Sequence, residues 1–399
     1  MPPPTAKPRK ATLSPFPPLP QALTSTPILR YAENTIKNWS ASSVSLTESP
    51  PKSFERIWLM DTERTLKALC MAKGNSGAED EAAAVGAELL APYGKVRRDN
   101  LGNVICEIAP KKNGRHVLLD AHIDQIALIV THIDENGFVF AMNCGGIDRR
   151  SIWGTRVTVL GKEGEYDGVI CSVPKELQGD GKQENPKPEE FAADIGFDKE
   201  TAEKLVKPGD RVMLRGTWQS MENGYVTAPA LDDRAGCACI LEALELLRGK
   251  ELPCGLTAVF STREETGGEG AAAAAAAIAP TEALEMDVSF GKTPDTNEVE
   301  TKFMKKGPMI GFAPGLDRKM SEQLVALAQK HQIPWQYEVM NGTTGTNADD
   351  MAKAGEGIRC CTVSIPQQYM HTVIEKMAVA DIQNTGKLIA AYVMEGGAE

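Results

Sequence analysis

Long apolar runs are missing from this 399-residue sequence. None reaches the roughly 18 residues that a membrane-crossing helix requires, and no apolar core of about 7–15 residues of the secretory kind follows the proline-bearing N-terminus. A basic face is missing as well. The formal net charge is −11, and beyond a short patch at residues 7–10 no cluster of Lys and Arg stands out. That excludes a general nucleic-acid binder, because phosphate contact needs concentrated positive charge; an acidic surface serves solubility. Cysteine is present, but in an odd count of nine and without metal-finger spacing: Cys70, Cys106, Cys144, Cys171, Cys237, Cys239, Cys254, Cys360 and Cys361. They read as reduced core thiols of a cytoplasmic protein. Cys237 and Cys239 form a CxC within a helical pattern, where residues two apart do not face each other, so no metal role is assigned to them.

What is there suits a globular protein: 42% hydrophobic and 24% charged residues, in a chain long enough for two domains with real cores. Residues 1–59 hold eleven of the 25 prolines with many Ser and Thr. Such a stretch buries too little apolar surface to offset its ordering entropy and reads as a disordered leader. A start at Met60 would by itself give a whole domain. From there a helical pattern broken by a Gly-Asn-Ser-Gly turn leads into short apolar strands at residues 103–108 and 116–121. Residues 126–228 change character, with alternating strands LIVTHI, GFVFAM, TRVTVL, GVICSV and DRVMLR between glycine-rich turns, which predicts an inserted β-rich domain. After Pro229 helix and strand alternate again to the C-terminus. The expected fold class is therefore α/β: residues 60–125 and 229–399 form an α/β/α sandwich around the insertion. The seven alanines at 271–277 read as a close-packing helix.

With five histidines in the chain, each can be weighed. His122, in DAHIDQ, closes an apolar strand, and open α/β sheets place their sites at the carboxyl ends of such strands. The HxD spacing sets Asp124 on the same side of an extended chain, where it can hold the imidazole's second nitrogen. His371, in QQYMHTVIEK, follows the strand IRCCTVSI; by itself it reads better as a buried histidine bonded to backbone. His116, His132 and His331 carry no functional signal.

Asp232 and Asp233, in PALDDRAG, open a helix and in isolation are simple caps. Glu264 and Glu265, in STREETGGEG, leave the buried strand LTAVFS before a glycine pair; a solvated loop explains them equally well alone. Asp287, inside LEMDVSF, is a carboxylate in an apolar strand and requires a partner or a metal. Together these imidazoles and carboxylates form a ligand set for a pair of divalent ions. In such a pair one carboxylate bridges, and a free one serves as general base.

At these motifs the sequence resembles the cytosolic tetrahedral-assembly aminopeptidases, which include bacterial glutamyl aminopeptidase and proteins that carry the name endoglucanase. The likeness runs from about Met60 to the C-terminus. AHIDQ is similar to the family's AHxDE, which implies that His122 binds metal and Asp124 orients it. LDDRAG is similar to LDxRxG, which implies that Asp232 bridges. The EE pair implies Glu264 as general base and Glu265 as ligand to the second metal, while Asp287 and His371 correspond to ligands in a VDV-like strand and a YxH context. Two departures stand out: Gln125 where the family commonly has Glu, and Asn347 where it often has the Asp of a GTDA loop. The resemblance further implies that the inserted domain makes dimers that assemble into dodecamers.

The expected protein is a cytoplasmic metallo-aminopeptidase of short peptides, with two divalent ions per subunit, zinc or cobalt, with manganese also compatible. It would be a homo-oligomer with no nucleic-acid or membrane partner. Competing readings are an amidase or deacylase on non-peptide substrates, a metal-free glycoside hydrolase using the paired acids, and a non-catalytic metal-binding assembly protein.

Overall fold

The computed structural model describes residues 60–173 and 191–397; the expected leader at residues 1–59 lies outside them. The helices Thr62–Met71 and Asp80–Leu90 come first, the former capped by Asp61, whose carboxylate accepts from the Arg64 amide at 3.0 Å. The strands β1 (Lys95–Arg98), β2 (Val104–Ala109) and β3 (His116–His122) follow. Then come β4 (Ala127–Ile133), β5 (Val139–Cys144), β6 (Arg156–Gly161), β7 (Gly164–Ile170), β8 (Phe191–Asp194) and β9 (Arg211–Leu214). These close into a barrel in the order β4-β5-β8-β7-β6-β9, which leaves no free sheet edge. Its interior is apolar, with Leu128, Val139, Val157, Val159, Phe191 and Val212 fully buried.

The barrel ends at Leu214, short of the end of the inserted stretch as read from sequence. The next strands, β10 (Gln219–Met221) and β11 (Tyr225–Ala228), form a separate three-stranded sheet with β17 (Glu375–Ala378). Val226 and Ala228 of β11 join the core of the α/β body.

That body is an eight-stranded sheet completed by β12 (Gly255–Ser261), β13 (Glu282–Phe290), β14 (Met309–Phe312), β15 (Gln336–Val339) and β16 (Arg359–Gln367). Its order is β1-β2-β12-β3-β13-β16-β14-β15, and the central four, β12, β3, β13 and β16, run parallel. Side chains alternate across a strand. Val117, Leu119 and Ala121 of β3 enter one core, covered by helices that include Leu231–Leu247, Arg318–Lys330 and Val379–Glu395. Leu118 of β3 enters the other, under the helices Glu269–Ile278 and Ala348–Met351. Strands covered on both faces read as near-continuous apolar runs, as LTAVFS does. The alanine run supplies Ala271, Ala274 and Ala275 to this second core, where small side chains bring the helix close to the sheet.

Candidate active site

The carboxyl ends of the four parallel strands converge on one spot. His122 is the last residue of β3. Asp287 lies on β13, paired in register with Ser364 of β16. After β12, Arg263 takes a left-handed conformation (φ 64°) and a short 3-10 turn, Glu264–Thr266, presents both glutamates. His371, also left-handed (φ 62°), lies in the segment that leaves β16. Asp232 is the second residue of the helix Leu231–Leu247, but Asp232 and Asp233 have non-helical backbones and a cis peptide bond between them. Asp233 does the capping, its carboxylate accepting from Gly236 N at 2.9 Å. Asp232 is left to face the imidazoles.

Asp232 stands between the two histidines, with Oδ1 3.1 Å from His122 Nε2 and Oδ2 3.5 Å from His371 Nε2. Around the same His122 nitrogen lie Glu264 Oε2 at 3.8 Å and Asp287 Oδ1 at 3.9 Å, and Glu265 Oε2 lies 3.6 Å from His371 Nε2. Behind His122, Nδ1 is 3.2 Å from the Asp124 carbonyl and 3.5 Å from its carboxylate. That carboxylate also accepts from the backbone amides of Glu264 (3.0 Å) and Glu265 (3.3 Å), so one residue both backs the imidazole and fixes the turn carrying the glutamates.

Burial dominates the electrostatics. It pushes the Glu264 carboxyl from 4.5 up to about 7, and the charges of Asp232 and Asp124 add to the rise while His122 opposes it. Burial, then the Asp232 charge, holds Glu265 well above the ordinary range; burial likewise raises Asp287 and Asp233. Asp232 is the exception: despite burial, its contacts with His122 and His371 hold it below the usual carboxylate range. Burial works against a charge on His122, yet Asp124, Asp232 and Glu264 together raise its imidazole well above the usual value.

This crowd of acids fits divalent cations. Among the described residues, the only ion-pair partners of Asp232, Glu264, Glu265 and Asp287 are the two imidazoles, and buried carboxylates without compensation are costly. Asp233 Oδ2 is buried with no hydrogen-bond partner. Two groups, His122 with Asp232 and Glu265, and His122 with Asp233 and Asp287, each bring ligand atoms within 4.8 Å of one another. The donors are nitrogen and oxygen only. Cys237 and Cys239 are buried in the helix interior, with their thiols pushed well up by burial. His116 instead contacts Thr257, His132 stacks on Phe140, and His331 meets Glu395.

Several supporting residues escaped the sequence reading. Glu375 is buried on β17, and its carboxylate accepts from both Asp232 N (3.1 Å) and His371 N (3.0 Å), tying two site segments together. No spacing rule points from Glu375 to Asp232, 143 residues away. Asp120 accepts from Ser261 Oγ and Asn347 Nδ2, both at 3.0 Å, in a fully buried cluster beneath the site. Gln125 accepts from the buried Arg234 guanidinium at 3.2 Å, whose other donors go to the carbonyls of Ile123, Leu69 and Ala72. The barrel also reaches the site: after β5, a Cβ at Gly146 would lie 2.8 Å from His371 Nδ1, so only glycine fits without displacement.

Residues 102–388 match the M42 glutamyl aminopeptidase family. A lysyl aminopeptidase of Pyrococcus furiosus is 30% identical over 75% of this chain and 87% of its own. Among solved structures, an aminopeptidase from Desulfurococcus kamchatkensis superposes with a TM-score of 0.78 at 30% identity, covering 84% of this chain and 94% of that one. The Pyrococcus horikoshii TET1 peptidase, which can assemble into a tetrahedron or a large octahedral shell, gives 0.75 at 28% identity over 84% and 100%. A family match spanning most of the sequence, with relatives covered nearly end to end, means that this chain belongs to the M42 glutamyl aminopeptidase family and is a hydrolase of the aminopeptidase class.

Proposed function

We propose that the protein is a co-catalytic two-metal aminopeptidase that removes N-terminal residues from short peptides. The observation that carries this reading is the convergence of His122 and His371 on Asp232, with Glu264, Glu265 and Asp287 gathered around them at the ends of parallel strands. In this reading Asp232, which faces both imidazoles, would be shared by the two ions, and His122, Glu265, Asp287 and His371 would complete the ligand set. Asp233 stands close enough to His122 and Asp287 to assist. When bound, a pair of zinc, cobalt or manganese ions supplies Lewis acidity toward the scissile carbonyl and lowers the pKa of a water shared between them.

Glu264 is the general base. Of the carboxylates around His122 Nε2 it is the one that the ligand set leaves free, at 3.8 Å, and burial raises its affinity for a proton, which suits a group that accepts a proton and returns it. It takes a proton from the attacking water as the water oxygen bonds to the carbonyl carbon, then passes that proton to the amide nitrogen as the carbon–nitrogen bond breaks. Asp124 holds His122 from behind and keeps Glu264 in reach through the backbone of the turn.

The likeness to a shell-forming relative and to a dodecameric one supports a homo-oligomer; in this reading the inserted domain makes the dimers from which a dodecamer is built. All nine cysteines are free thiols, which supports a reducing, cytoplasmic setting. The test is hydrolysis of amino-acyl chromogenic substrates with chelator, and then with zinc, cobalt or manganese restored. Release that is lost to chelator and regained with metal is expected; release indifferent to chelator would reject the two-metal reading.

A further inference from the structure

Beside the acidic cluster lies a cavity of about 400 Å³, bounded by Val288, Phe290, Thr344, Thr346 and Met370 opposite the site carboxylates. Its size is at the small end of ligand pockets, about 300–1,000 Å³, and suits one amino-acid residue more than an extended peptide. No Lys or Arg is among its lining residues.

The polar groups on its wall are hydrogen-bonded within the loop. Thr344 and Thr346 share a hydrogen bond between their hydroxyls at 3.0 Å; the Thr344 hydroxyl also accepts from Thr346 N, and the Thr346 hydroxyl from Ala348 N. The loop is further tied by Thr344 N and Gly345 N donating to the Asp349 carboxylate at 2.8 and 3.1 Å. Ser289, on the same wall, bonds Glu338. Beside them the wall offers a substrate side chain the apolar surface of Val288, Phe290 and Met370.

Resting on the aminopeptidase reading, we infer that this cavity receives the side chain of the substrate's first residue and selects an uncharged, apolar one of leucine or methionine type. A first-residue glutamate or aspartate would find no cationic side chain on the wall to receive its carboxylate. A lysine would extend its ammonium along a wall without a carboxylate, since Asp232, Glu265 and Asp287 are committed to the ions in the aminopeptidase reading, and a desolvated charge without a partner is costly. An apolar side chain meets neither penalty.

The experiment compares kcat/KM for the p-nitroanilides of Leu, Met, Ala, Glu and Lys with metal-loaded enzyme, for the native protein and for Phe290→Lys. Phe290 is 57% exposed, so a longer polar side chain is accommodated there. The native enzyme is expected to favour Leu and Met over Glu and Lys by roughly tenfold or more. Phe290→Lys should narrow the Leu-to-Glu ratio, chiefly through a lower KM for Glu. Native preference for Glu or Lys, equal rates across the panel, or a ratio unmoved by Phe290→Lys would overturn the assignment. Cleavage of none of the anilides would instead overturn the aminopeptidase reading on which it rests, and this inference with it.

Discussion

On one face of the central sheet, β3 buries Val117, Leu119 and Ala121, β12 Leu256, Ala258 and Phe260, and β16 Cys361, Val363 and Ile365. The intervening residues of the same strands fill the other face differently: Leu118, Asp120 and His122; Thr257, Val259 and Ser261; Cys360, Thr362 and Ser364. From β13 that face receives Ala283, Glu285 and Asp287. Toward the strand ends the first face stays apolar and the second turns polar and acidic. Apolar burial stabilises at about 25 cal/mol per Å², whereas buried carboxylates work against folding unless something compensates them. Stability therefore resides chiefly in the first face, and the second trades part of it for chemistry.

The largest way to break this contrast is Glu264→Gln. It should lower kcat by about 10²–10⁴-fold, the usual contribution of a general base, with bound ions retained; near-normal turnover in the variant would remove Glu264 from that role. Next comes Asn347→Asp, which sets a second carboxylate against Asp120 where an amide now donates. A loss of about 1–3 kcal/mol in denaturant unfolding is expected. The double variant Asp120→Asn with Asn347→Asp should recover most of it by reversing donor and acceptor, and no recovery would mean the contact is incidental.

A subtler effect is pH dependence in ion-free protein. Glu264 holds its proton up to about pH 7 when folded, against an ordinary 4.5, so the folded chain binds more protons than the unfolded chain in between. The stability from this group is present below 4.5 and is lost as pH rises through 7. Urea midpoints of chelated protein should fall between about pH 5 and pH 8, and ion loading should flatten the slope; a midpoint that rises with pH would contradict the sign. The smallest effect belongs to the apolar face. Ile365→Val, at a fully buried site, should cost about 0.5–1.5 kcal/mol and leave kcat/KM unchanged.

The same contrast explains what the sequence made legible. Apolar strands buried on both sides, helix patterns and motifs at strand exits depend on neighbours in the chain, so the α/β body and the gathering of His122, Asp232, Glu264, Glu265, Asp287 and His371 could be anticipated. Contacts made only by the fold could not. Nothing near Glu375 signals that it will tie Asp232 to His371, and Asp120 meets Asn347 across 227 residues. The pairing of β11 with β17 has no local signal either, so the inserted stretch reads longer in sequence than the closed barrel. Asp233 looked like a cap and is one, yet its second oxygen is buried without a partner.

Ion content tests the central claim most directly. Mass-spectrometric metal analysis of dialysed protein should find about two divalent ions per chain, and Asp232→Asn, which alters the one carboxylate facing both imidazoles, should lose most of both. Two ions retained in Asp232→Asn, or none in the native protein after loading, would contradict the account.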